Sequence, residues 1–253
     1  MRVPVLLAAV ASIVLAPAAA LPDAQETAIG QQVFQQLSAN NEIVARPNPL
    51  YAVLDPIALK IDPVADALYD EPFTFVILHD PSPNAFAAPG GNVYVNDSLF
   101  TFVQNREEFA SVLCHEVAHD IDHDLVHSIT RDQQLATLIG LAGAFSGAVK
   151  TVRGRNAENL AYALQVNSYA LDVEGVADLE GADICAEAGY NPWGMVWLFE
   201  RVSKVDSSGA MEALSDPISE RHRIDALERH FLANPQLFGA FSANGATAQV
   251  LLP

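Results

Sequence analysis

The spacing of apolar and polar positions divides the chain into helical stretches and two short strands. Ile29, Val33, Phe34, Leu37, Ile43 and Val44 recur near helical spacing and predict a helix over 25–46. Pro47 and Pro49 end it. Residues 50–70 predict a second helical or irregular stretch, interrupted by Pro56 and Pro63. The β-branched and aromatic run from Phe73 to Leu78 predicts a buried strand. A loop from Asp80 to Pro83 follows. A second strand, Asn92 to Asn96, is entered through Pro89-Gly90-Gly91. Asp97 or Ser98 suits the cap of a helix whose first turns hold Leu99, Phe100 and Phe102. A long helix is expected over 106–128.

Leu135 to Val149 is an apolar run rich in Gly and Ala. It is shorter than the roughly 20 residues of a membrane span, and Gly143 and Gly147 suit close helix packing. It reads as an internal helical hairpin; a lid or a membrane-touching element is the alternative. Residues 154–159 form a polar loop. Helix is expected over 160–188, stopped by Gly189 with Pro192 beyond. An apolar helix over 193–203, a loop over 207–209 and a charged helix over 217–232 complete the pattern. The fold class is α+β, mainly α-helical, with no internal repeat and one mature domain over 21–253.

Residues 1–20 stand apart. Arg2, the apolar run Val3 to Leu15 and Ala18-Ala19-Ala20 have the form of a secretory signal peptide. No Cys lies at the cut, which argues against a lipid anchor. The protein is therefore expected to be exported, to a periplasm or beyond. The whole chain carries a formal charge of -18, and loss of Arg2 with the leader makes the mature chain more acidic still. Such a charge opposes nucleic acid and anionic membrane surfaces as partners. Cys114 and Cys185 are the two cysteines. Export permits a disulfide between them, but both lie in apolar helical surroundings, and two buried free thiols are the expectation.

Candidate chemistry centres on His115-Glu116-Val117-Ala118-His119. Residues four apart share a helical face, so His115 and His119 can offer two imidazoles to one ion. That pair suits zinc, and Glu116 beside it can act as a general base on water. His123 and His127 continue the spacing, but His123 lies roughly 12 Å along the axis from His115. Both are expected to be solvated. A third ligand is better supplied by Glu174, with Asp178 four residues on. Asp178 can accept the other ring N–H of a ligand histidine. Acids flanked by Leu171, Ala177 and Leu179 would be costly to bury without a partner.

The chain resembles the zinc metallopeptidases that include the CAAX prenyl protease, the bacterial heat-shock membrane protease and the periplasmic beta-barrel assembly-enhancing protease. The resemblance rests on Asn84-Ala85-Phe86 with Pro89 to Val95, then His115 to His119, then Glu174 to Asp178, then Arg223-Ile224. It covers roughly 70–230. It implies a zincin-like catalytic domain with a small sheet whose edge strand lines the cleft. It also implies one Zn2+ per chain on His115, His119 and Glu174, with Glu116 as base and Asp178 behind the ligands. The strand Asn92, Val93, Tyr94 and Val95 would pair with an extended peptide.

One departure stands out. Relatives carry a His-Pro with Arg six residues after the His, whereas this chain has Asp216-Pro217 and Arg223 seven residues after Asp216. Either His222 or Arg223 is a candidate oxyanion donor, and Asp216 a candidate inhibitory ligand. The function implied is an exported zinc endopeptidase acting on extended or misfolded protein in quality control. The alternative is a periplasmic chaperone or scaffold whose zinc site is silent or plugged.

Overall fold

The structure, a computed structural model, describes residues 23–128, 169, 171–203 and 217–252. In order these form α1 (Asp23–Ala39), α2 (Tyr51–Ala65), β1 (Thr74–Leu78), β2 (Ala85–Ala88), β3 (Asn92–Asn96), α3 (Leu99–Phe102) and α4 (Arg106–Ile121). They continue as α5 (Leu171–Glu187), α6 (Trp193–Val202), α7 (Pro217–Ala233) and α8 (Pro235–Phe238). Residues 1–20, the 135–149 run, the expected loops at 154–159 and 207–209, and Asp216 lie outside the described residues.

α1 stops earlier than its apolar spacing predicts. Asn41 takes a left-handed φ of 58°, Glu42 N–H reaches back to Leu37 O, and Asn41 N–H reaches back to Ser38 O. That is a Schellman stop with Asn in the left-handed position. Ile43 and Val44 then run extended along β1, with Ile43 bridged to Leu78. α2, by contrast, continues through Pro56 and Pro63. Leu54, Ile57, Ala58, Ile61 and Ala65 form a buried stripe, and packing of that stripe outweighs the two lost amide donors.

The sheet order is β1-β3-β2. β3 runs parallel to β1, with Val76 opposite Tyr94, and antiparallel to β2, with Phe86 opposite Tyr94. The β2–β3 turn needs glycine: Gly91 has φ 77°, and a β-carbon there would lie 2.4 Å from Pro72 O. Phe75, Ile77, Val93 and Val95 face the main helical core. Val76, Leu78, Phe86 and Tyr94 face Val33 and Leu37 of α1.

This order corrects the expectation that Asn92, Val93, Tyr94 and Val95 form the cleft-lining edge. β3 is central, and its backbone groups are taken on both sides. The outer strands are β1, which carries the Ile43 bridge, and β2, which no strand signal in the sequence marked and which pairs with β3 alone among the described residues.

α4 is buried around most of its circumference, as a central helix must be. Its start is fixed by Asn105, whose side chain accepts from Glu108 N–H at 2.8 Å. Glu108 in turn accepts from Gln104 N–H and from Arg201. α4 ends seven residues before the expected limit: the chain turns at His123, with φ 54°, and becomes helical again over 124–128. α5 ends as expected, with Gly189 at φ 79° and Tyr190 N–H on Cys185 O. The cysteines are a correction. They are a disulfide, Cys114–Cys185, joining α4 to α5, because the two helices cross where both thiols face inward.

Candidate metal centre

α4 and α5 approach closely enough to share backbone contact. A β-carbon on Gly181 of α5 would sit 2.9 Å from His115 Cα, so glycine is what admits the crossing. The disulfide lies one residue before His115. Across this contact Glu174 meets both histidines of α4. His115 Nε2 and His119 Nε2 are 3.1 Å apart. Glu174 Oε2 lies 3.4 Å from His115 Nε2, and its Oε1 lies 3.7 Å from His119 Nε2. A tetrahedral ion with bonds near 2.0–2.1 Å spaces its ligands about 3.3–3.4 Å apart. The three donors bracket that edge length and can share one ion.

Carboxylates stand behind each ring. Asp178 Oδ1 lies 3.1 Å from His115 Nδ1, and Asp124 Oδ2 lies 2.7 Å from His119 Nδ1. Arg223 is buried against them. Its Nε and Nη2 donate to Asp178 at 2.6 and 2.8 Å, and Nη2 also lies 3.1 Å from Glu174. Two expected oxyanion donors thus part company: Arg223 is engaged in fixing carboxylates, whereas His222 is exposed, with no contact to the donor set among the described contacts.

Burial disfavours a charged ring at His115, but Asp178 and Glu174 outweigh it and raise its pKa to about 10. Burial also opposes ionisation of Glu174 and Asp178. His115 and Arg223 reverse this for Glu174, Arg223 and His115 reverse it for Asp178, and both stay below the usual carboxylate range. The two carboxylates thus favour positive charge at His115, whether a proton or a metal ion supplies it.

Glu116 points elsewhere. Its Oε2 accepts the Ala87 N–H of β2 at 3.1 Å, so the carboxylate reaches the outer side of that strand. Burial raises its pKa against the opposing charges of His115 and His119, and the charge of Glu174 adds to the rise. Among the described residues β2 pairs with β3 alone.

The sequence reading missed Asp124 and Tyr169. The Tyr169 ring lies over His119 at 4.4 Å. Asp124 is five residues past His119, a spacing with no helical signal; only the turn at His123 brings it back. His123 is not simply solvated either. Its Nδ1 meets Glu26 of α1 at 2.9 Å, while His127 is exposed.

A two-histidine, one-glutamate donor set split between crossing helices, with a further carboxylate free of it, defines a zinc metallopeptidase centre. Comparison with known sequences gives the same class a family: residues 53–231 match Peptidase family M48, and the chain belongs to that family. The family is zinc-dependent. Among its relatives, the beta-barrel assembly-enhancing protease of Yersinia pestis is 27% identical over 214 residues, 81% of this chain and 44% of that protein. The putative beta-barrel assembly-enhancing protease of Vibrio cholerae is 29% identical over the same shares. The mitochondrial metalloendopeptidase OMA1 of Saccharomyces cerevisiae is 26% identical, over 81% of this chain and 63% of that protein. The chain thus spans less than half the length of the bacterial relatives it matches.

Proposed function

We propose that this chain is an exported zinc endopeptidase that hydrolyses extended or misfolded protein, with His115, His119 and Glu174 as ligands and Glu116 as general base. The observation that carries the reading is Glu116 itself. It sits next in sequence to a ligand, is not among the three converging donors, and touches the strand edge where a peptide would lie. When bound, zinc polarises the scissile carbonyl and makes water acidic near neutral pH. Glu116 takes a proton from the attacking water and returns it to the leaving amine, so one water is consumed and one peptide bond becomes an acid and an amine. Its raised proton affinity suits both halves of that transfer.

β2 supplies the second element. Ala87 N–H points away from β3. An extended peptide added along this outer edge would be held by main-chain bonds with little regard to its sequence. Arg223 fixes Asp178 and Glu174, a role that supports the ligands and leaves the oxyanion donor to another group.

Export is supported by the form of residues 1–20 and by the disulfide, since such bonds persist in oxidising compartments. No helix among the described residues is long and apolar enough to cross a membrane. The mature single domain over 21–253 belongs to the same proposal.

The test compares wild type with Glu116→Gln on unfolded casein, with and without chelator. The variant should keep one zinc per chain and its melting temperature while turnover falls about 10²–10⁴-fold. Wild-type turnover in the variant would sink the mechanism. A zinc-loaded wild type that cleaves no unfolded protein would favour the scaffold reading.

A further inference from the structure

We infer that Asp124 is a positioning residue for His119, delivered by the left-handed turn at His123 that Glu26 of α1 holds in place. The inference rests on the proposal that His119 is a zinc ligand. Had α4 run on as a regular helix, Asp124 would lie about 7.5 Å further along the axis and on another face. Instead α4 stops at Ile121, His123 takes φ 54°, and the chain doubles back. Asp124 Oδ2 then reaches His119 Nδ1 at 2.7 Å.

A β-carbon disfavours that conformation, and neither Gly nor Asn occupies the position. The turn is held from outside α4. His123 Nδ1 meets Glu26 Oε2 at 2.9 Å, with Glu26 itself buried. Tyr69 donates its hydroxyl to the same carboxylate oxygen at 3.2 Å, and its ring lies 5.5 Å from that of His123. A helix on the far side of the sheet thus fixes the angle at which one donor faces the others.

The chemical effect is on the tautomer. With its Nδ1–H donated to Asp124, His119 has its Nε2 lone pair directed at His115 Nε2 and Glu174, ready for a cation. Asp178 Oδ1 faces His115 Nδ1 at 3.1 Å as an ion-pair contact, without the hydrogen-bond geometry that Asp124 has. Each histidine therefore has a carboxylate of its own, one from α5 and one from the turn after α4. Tyr169 lies over the His119 ring and restricts its rotation.

The experiment measures the zinc dissociation constant by competition with a chromophoric chelator. It compares wild type, Asp124→Ala, Asp124→Asn, Glu26→Gln and His119→Ala, with the melting temperature of each metal-free chain alongside. Asp124→Ala should weaken zinc binding about 10–100-fold. Asp124→Asn keeps an acceptor without the charge, so it should lose less while melting near wild type. Glu26→Gln should shift affinity in the same direction by a smaller factor. If Asp124→Ala fails to fold, Asp124→Asn decides. Wild-type zinc affinity in the folded Asp124 variants, beside a clear loss in His119→Ala, would overturn this inference alone. A wild type that took up no zinc, or a His119→Ala chain that bound it unchanged, would overturn the zinc reading and this inference with it.

Discussion

Asp62 on α2 shows what one carboxylate costs when burial outruns its partners. Burial pushes its pKa up to about 6, with Asp66 adding to the effect, and Oδ1 is buried without a hydrogen-bond partner. The folded chain thus holds this proton more tightly than the unfolded chain does, so ionisation destabilises the fold. The penalty is absent below the unfolded value near ~4 and complete above the folded one. Asp62→Asn should therefore stabilise the protein at pH 8 by on the order of 1 kcal/mol, discounting for partial exposure. The gain should fall steeply as the pH drops towards about 4. Urea melts across that range check this, and a gain independent of pH would show that charge is not the cause. At this scale the converging donors His115, His119 and Glu174, with Asp178 beside them, were legible because helical spacing carries them: His115 with His119, and Glu174 with Asp178. Asp124 and Tyr169 were not, since each reaches His119 through a change of chain direction that no local spacing encodes.

Among the elements, helix identities were legible and their limits were less so. Gly189 announced the end of α5, but Asn41 and His123 gave no comparable notice, and α1 and α4 both ended early. β2 was missed because Ala-Phe-Ala-Ala has little intrinsic strand preference. Its place at the sheet edge is decided by pairing with β3. The α4–α5 contact makes a sharper prediction. Gly181→Ala would set a β-carbon 2.9 Å from His115 backbone. The usual gain of Ala over Gly in a helix, about 1 kcal/mol, should reverse into a loss of about 1–3 kcal/mol, with weaker zinc binding. Gly175, six residues earlier in the same helix, has nothing within 4 Å of such a carbon among the described residues, so Gly175→Ala should stabilise. Thermal melts of the two variants decide it; a stabilised Gly181→Ala chain would mean that the helices can move apart freely.

For the whole molecule, the covalent tie matters most. Cys114–Cys185 closes a loop with a sequence separation of 71. Its removal by Cys114→Ala with Cys185→Ala should cost about 2–4 kcal/mol, lowering the melting temperature by on the order of 10 °C. Calorimetry of wild type with and without reductant reads the same quantity, and an unchanged melt would deny the bond a part in stability. The pairing was not legible because it depends on how two distant helices cross. That same crossing divides the donors: His115 and His119 come from α4, and Glu174 from α5. No nascent chain still short of Glu174 can assemble the set. On the proposed function, hydrolytic power would then belong to the finished fold, and a partly made chain would lack it.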